Sequence, residues 1–280
     1  MRTLLVLGRT SNLPTVWSNC LAGWWLGGGH EIFRLLAVLF GTTLLYLGGM
    51  YLNDAFDADF DSRRRRERPI PSGAISVTLV WQIGFGLLGL GLLSLVLVGI
   101  TTAILSIFLV GCILLYDAVH KMITISPVLM ASCRFFLFLV AASAGASGVT
   151  GLAVWSAFAL AFYIVGLSYI ARKESTRGPL RYWPSLFLAA PIILAMLVDS
   201  GKYFEPAALI SLVFGLWVIR CLRYTFGTAE RNIGRTVSGL LAGIAWVDLL
   251  AIADCPKVFA LWFIVMFVLA LFFQRSVPAT

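Results

Sequence analysis

Charge is what this sequence has least of. Only 12% of its 280 residues are Asp, Glu, Lys or Arg, while 60% are hydrophobic. Soluble domains carry about 25% charged residues, so an ordinary water-soluble fold is excluded by composition alone. Histidine is nearly absent, with His30 and His120 as the two copies. The five cysteines (Cys20, Cys112, Cys133, Cys221, Cys255) are scattered, with no CxxC and no histidine at metal spacing. They read as small apolar residues rather than as a disulfide framework or a zinc site. No A-x-A cleavage site follows the first apolar segment, so a removable signal peptide is not expected. Soluble insertions, linkers and low-complexity tails are also missing. A single membrane-embedded domain over residues 1–280 is the expected organisation.

What is present is apolar length. Ten apolar runs lie at about 13–29, 33–55, 77–99, 101–118, 127–146, 151–172, 183–200, 206–226, 236–253 and 257–274. Most reach the 17–22 residues that a helix needs to cross a hydrocarbon core of about 30 Å. Gly23 and Gly27 form a GxxxG pair, which marks close helix packing. The loops after the even-numbered runs hold fourteen Lys and Arg, whereas the opposite loops hold Arg34, Lys202 and Lys257. The positive-inside rule places the even loops and the N-terminus in the cytoplasm. The net charge of +8 is accounted for by that asymmetry, and nucleic acid is not an expected partner.

The acidic residues are concentrated where the charge is otherwise scarce. Four of the thirteen, Asp54, Asp57, Asp59 and Asp61, fall within eight positions at the end of the second run. On a helix Asn53, Asp57 and Asp61 share one face with Asp54 beside them. Carboxylates so close repel, and the negative end of a helix opposes them further. Hard oxygen ligands of this kind suit Mg²⁺, which binds through one or two carboxylates plus a substrate phosphate. Arg63–Arg66 and Arg68 follow at once, with planar donors that match phosphate geometry. The pattern points to a site for a lipid diphosphate.

Other polar positions are sparser. Tyr116, Asp117, His120 and Lys121 close the fourth run on the side of the acidic cluster. Arg134 sits within the fifth run, where an arginine costs at least about 2.5 kcal/mol, so it should face the interior and meet an anionic substrate or an Asp. The segment after the sixth run reads LSYIARKES and carries Arg172, Lys173 and Glu174.

These residues resemble a known family. Asn53-Asp54-x-x-Asp57-x-x-x-Asp61 followed by Arg68-Pro69-x-Pro71-x-Gly73 is similar to the first aspartate-rich motif of the UbiA superfamily of intramembrane prenyltransferases. Tyr116 to Lys121 is similar to the family's Tyr/Lys element, and Arg9 to Pro14 to its usual opening, with details closest to the EboC-like members. The resemblance implies an all-α transmembrane bundle, of nine spans in the family against ten runs here, with a cytoplasm-facing active site. It implies an integral, multi-pass protein of the inner or plasma membrane. The implied activity is Mg²⁺-dependent transfer of an isoprenyl group from a prenyl diphosphate donor to a small lipophilic or aromatic acceptor. Asn53, Asp54, Asp57, Asp61 and Glu174 would hold Mg²⁺. Arg68, Lys121 and Arg172 would hold the diphosphate, together with Asn53, Tyr116, Arg134 and Lys173. Asp54, Asp57, Asp61 and Lys121 would be catalytic. The family's second motif, Asp-x-x-x-Asp, is replaced here by Arg172-Lys173-Glu174. The alternative is a binding or transport protein for a lipid phosphate; the DGxxAR…GxxxDxxxD pattern of phosphatidyltransferases is missing.

The charge asymmetry makes a prediction of its own. Single cysteines replacing Ser62 and Ser175, in a background without native cysteines, are expected to label from the same membrane face. Labelling from opposite faces would separate the two halves of the expected site.

Overall fold

The computed structural model describes residues 2–175, 182–199, 201, 204–227 and 231–277, with the side chains of residues 173–175 outside that set. Every apolar run coincides with helix, as expected where no water is present to satisfy backbone N–H and C=O groups. A short α1 (Arg2–Leu7) and a 3-10 turn at Thr10–Asn12 lead into α2 (Leu13–Leu26) and then α3 (Ile32–Phe56). A one-residue junction leads to α4 (Ala58–Arg64). The bundle continues with α5 (Val77–Val96), α6 (Ile100–Val119), α7 (Ser126–Ser143) and α8 (Gly151–Ser175). The rest comprises α9 (Ala190–Val198), α10 (Phe204–Phe226), α11 (Ile233–Ala242), α12 (Ile244–Ala251) and α13 (Lys257–Phe273).

Seven of these stretches are long and apolar enough to cross a membrane, the ninth run counting as one stretch through α11 and α12. The segment Trp183–Val198 and α13 are shorter apolar helices. The seventh run starts as a 3-10 turn, Trp183–Ala189, before α9, because Pro184 and Pro191 each remove a backbone donor. The ninth run is broken at Gly243, where Tyr163 Oη donates to the Leu240 carbonyl at 2.7 Å. Large apolar side chains stay exposed on α5, α6, α10 and α13, among them Leu90, Ile107, Leu209 and Val268. A belt of this kind suits hydrocarbon rather than water. The chain is an integral, multi-pass membrane protein.

Beside a small cluster of Leu7, Tyr51, Ala55 and Val80, two large apolar clusters fill the interior among the described residues. One joins α2, α3, α5, α6 and α7, and the other joins α2, α7, α8 and the helices from α9 to α13. Both include α2 and α7, so the seam between those helices ties the halves together. Gly23 and Gly27 bring the backbones into contact there. A Cβ at Gly23 would stand 2.5 Å from the Phe138 carbonyl oxygen, and one at Gly27 would overlap that of Ala142. Ser147 N–H donates to the Gly27 carbonyl at 2.8 Å, closing the same seam.

Gly27→Ala is therefore expected to lower stability by roughly 1–3 kcal/mol, the usual cost of overpacking. Gly86→Ala, whose added methyl would meet only open space, should show no loss. Thermal unfolding in detergent compares the two, and equal midpoints would overturn the reading of the seam.

Candidate active site

α3 delivers the acidic cluster at its C-terminal end. Helical hydrogen bonding runs through the junction, with Asp57 N–H on the Asn53 carbonyl at 3.0 Å and Asp61 N–H on the Asp57 carbonyl at 2.9 Å. The four-residue spacing is thereby kept. Asn53, Asp54, Asp57 and Asp61 are buried, while Asp59 points to the exposed side. Beyond α4 the chain turns back on itself. Gly73 takes the left-handed φ of +76°, which glycine adopts without strain, and the loop returns Arg68 to the acids.

Each buried acid meets a cation from elsewhere in the chain. Asp54 Oδ1 accepts from Arg68 Nη1 at 3.0 Å and from Arg9 Nη2 at 3.2 Å. Asp61 Oδ2 shares Arg68 Nη1 at 3.2 Å. Asp57 Oδ1 lies 2.7 Å from Lys121 Nζ, and its Oδ2 lies 3.5 Å from His120 Nε2. Burial alone would raise the Asp57 pKa, but the bonds from His120 and Lys121 hold it below the usual carboxylate range. Lys121 also stands 3.7 Å from the centre of the Phe60 ring, and Tyr116 stacks on His120.

Asn53 is oriented from both sides. Its Nδ2 donates to Asp117 Oδ1 at 3.0 Å, which leaves Oδ1 to accept from Arg9 Nη2 at 3.1 Å. Arg9 has a φ of 40°, making it the one non-glycine residue with positive φ among those described. Tyr46 Oη donates to its carbonyl at 3.1 Å and holds that turn against the cluster.

The expected site residues thus divide. Asn53, Asp54, Asp57, Asp61, Arg68, Tyr116 and Lys121 converge. Arg134 stands in a separate buried network. Its Nη1 donates to Asn19 Oδ1 at 2.7 Å and to the Thr15 carbonyl, and its Nη2 donates to Thr15 Oγ1. Asn19 Nδ2 in turn donates to Asp248 at 2.8 Å, and Ser18 Oγ donates to the same carboxylate. The Asp that Arg134 requires is reached through an amide. Arg172 Nη1 donates to the carbonyls of Ile123 and Thr124 at 2.8 and 2.9 Å, bracing the loop that follows Lys121. The side chains of Lys173 and Glu174 lie outside the described residues.

Sequence reasoning passes over Arg9, His120 and Asp117 as site residues. Arg9 is a lone cation more than forty positions from its partners, and no local pattern signals that contact. His120 and Asp117 carry a weak signal, since both lie within four residues of Lys121 on the same helix end.

Among the described residues, no three acidic, histidine or cysteine side chains are placed to cage a metal by themselves. The set does fit Mg²⁺ arriving with a diphosphate. That ion needs only one or two carboxylates when phosphate supplies its other oxygens. Asn53 Oδ1 and the three buried carboxylates offer hard oxygens on one face.

Known proteins resemble this chain in sequence and in fold. The model of the UbiA prenyltransferase family matches residues 11–187. A 4-hydroxybenzoate octaprenyltransferase of Idiomarina loihiensis is 36% identical over 107 residues, covering 37% of this chain and 36% of that protein. A digeranylgeranylglyceryl phosphate synthase of Methanoregula boonei is 31% identical over 92 residues, covering 32% of this chain and 33% of that protein. Each match thus spans about a third of the relative's own length. Among solved structures, a UbiA homologue from Archaeoglobus fulgidus bound to GPP and Mg²⁺ superposes with a TM-score of 0.69 at 12% identity, over 95% of this chain and 99% of that one. That likeness shows a shared fold. Because the family model covers well over half of the sequence, and the helices assemble in the same architecture, this chain belongs to the UbiA prenyltransferase family.

Proposed function

We propose that this chain transfers an isoprenyl group from a prenyl diphosphate to a small lipophilic or aromatic acceptor, at a site on the cytoplasmic face of the inner or plasma membrane. The observation that carries this reading is the array of buried acids, each already matched to a cation from another segment. Such an array offers oxygen ligands and phosphate donors together, at the mouth of an apolar bundle. The relatives' names, octaprenyltransferase and digeranylgeranylglyceryl phosphate synthase, support the same class of reaction.

Asn53, Asp54, Asp57 and Asp61 would hold Mg²⁺, with Glu174 as the remaining acid from the altered second motif. When bound, that ion neutralises charge on the diphosphate oxygens. The chain's own part is to place fixed cations around the leaving group. Arg68, Arg9 and Lys121 have N–H donors that exchange a carboxylate for a phosphate oxygen, and they lie where negative charge develops as the allylic C–O bond breaks. The electron pair of that bond leaves with the diphosphate. The acceptor's electron pair forms the new bond to the isoprenyl carbon, and the acceptor then loses a proton. Asp57, ionised through His120 and Lys121, keeps Lys121 at the cluster. Asp117 fixes the Asn53 amide with its oxygen turned to Arg9 and the acids, where it would serve as a ligand to that ion. Arg134 has both terminal nitrogens engaged by Thr15 and Asn19 and is left out of the diphosphate set.

Asp57→Asn and Asp61→Asn are expected to cut diphosphate release from a labelled prenyl donor by at least about 100-fold, equivalent to ~2.7 kcal/mol of transition-state stabilisation. Both changes are close to isosteric, so the bundle should stay folded even though each removes an ion-pair partner and lowers the unfolding midpoint. Near-normal turnover in both, or full turnover in EDTA, would overturn the assignment.

The second motif yields a separate test. Arg172→Ala should speed amide hydrogen exchange at residues 121–126 in donor-free protein, because it removes the brace on that loop. Glu174→Gln should raise the Mg²⁺ midpoint for donor binding without changing that exchange. An unchanged midpoint would remove Glu174 from the metal set.

A further inference from the structure

A second pair of acids lies at the other end of the bundle. α8 finishes at the loop near Lys121, and it begins where Thr150 Oγ1 donates to the Leu26 carbonyl, at the far end of α2. At that far end, α9 and α12 both terminate. Asp199 caps α9, and Asp254 follows α12. Helix C-termini carry partial negative charge and carbonyls without partners, so a cation is the residue expected at each. Both carry a carboxylate instead, and neither has an ion-pair partner among the described residues. Burial, together with repulsion from Asp254, pushes the Asp199 carboxyl above its ordinary value.

The two acids border one cavity of about 200 Å³, walled on its apolar side by residues that include Leu194, Val198 and Leu250. Ser156 of α8 also lines it, is 3% exposed, and has a hydroxyl with no hydrogen-bond partner among the described residues. The start of α8 borders the cavity too, but the amides of Ala153 and Val154 are already held by Thr150. Among the polar side chains at the cavity, the two carboxylates accept and the Ser156 hydroxyl can accept or donate. Among the described residues, a buried hydroxyl without a partner, two carboxylates without a cation and two helix C-termini meet at one apolar cavity. Such a set suits a cationic ligand.

We propose that this cavity binds the primary ammonium group of an amphiphile, with the nitrogen between Asp199 and Asp254 and the apolar body along the Leu194 side. A primary ammonium has three N–H donors, which two carboxylates and the Ser156 hydroxyl satisfy together. A divalent cation fits less well, since no third metal-binding side chain joins the pair among the described residues. Val198, which lines the cavity, is itself exposed on α9, so a ligand enters from the hydrocarbon. The source is an aminophospholipid headgroup or a free alkylamine, and either presents the same group.

The test uses the full chain purified in detergent, with n-octylamine as probe and n-octanol as control. Calorimetry should show saturable binding of octylamine and none of octanol. The double variant Asp199→Asn/Asp254→Asn should bind octylamine at least tenfold more weakly. It removes acids from two helix C-termini, so it should fold at least as stably as the parent. Ser156→Ala should weaken binding severalfold and provides a second reading. Native mass spectrometry from nanodiscs of mixed phosphatidylethanolamine and phosphatidylcholine then separates the sources. Retention of phosphatidylethanolamine by the parent, lost in the double variant, supports the lipid. Octylamine binding without such retention supports the free amine. Equal octylamine affinity in parent and double variant, or octanol binding as well as octylamine, overturns the proposal. Diphosphate release at the opposite end should be unchanged in the double variant, so failure here leaves the prenyl-transfer reading standing.

Discussion

Four polar groups on one helical face, three of them carboxylates, are buried where a bilayer meets water, and their mutual repulsion governs how the surrounding chain folds. Removing a charge from water is costly unless a partner compensates it, and breaking such a pair costs about 3–5 kcal/mol. The cations that compensate come from three places: Arg9 ahead of α2, Arg68 in the loop before α5, and Lys121 after α6. Each contact draws a different segment over the mouth of the bundle. The electrostatic demand of the acids thus does for the loops what apolar burial does for the helices.

The helices themselves answer to a different constraint. Lipid tails are as apolar as leucine, so helix association in a bilayer relies on close contact and on interhelical hydrogen bonds. The α2–α7 seam supplies both. Gly23 and Gly27 admit the α7 backbone, and Arg134 reaches across to Thr15 and Asn19. Because both large clusters include these two helices, the seam also joins the half that carries the aspartate end of α3 to the helices that wall the rest of the bundle.

Much of this is legible in the sequence, for physical reasons. Ten apolar runs become helix because hydrocarbon leaves the backbone no other way to satisfy its polar groups. The face shared by Asn53, Asp57 and Asp61 survives the junction at Asp57 because the i to i+4 hydrogen bonds continue through it. The failures are long-range. Arg9 meets Asn53 across 44 positions, and Asp248 meets Asn19 across 229, and no local periodicity encodes either contact. The depth of Arg134 in its apolar run signals that it needs a partner, yet the chemistry of an arginine does not say whether that partner is a substrate or the protein. The break of the ninth run at Gly243 and the 3-10 start of the seventh are also hidden, since hydropathy averages over them.

The amide of Asn19 has a consequence for how this chain changes through descent. It separates a buried arginine from a buried aspartate by one side chain, accepting from one and donating to the other. Neither charge touches the other, so neither position can drift alone. Losing Asp248 leaves Arg134 without a counter-charge in hydrocarbon, and losing Arg134 does the same to Asp248. Asn19 is equally bound, because Asp or Leu at that position would unbalance the charge or break the bridge. Positions 19, 134 and 248, distant in sequence and carried on three helices, are therefore physically coupled. A substitution at one of the three is therefore expected to need compensation at the other two.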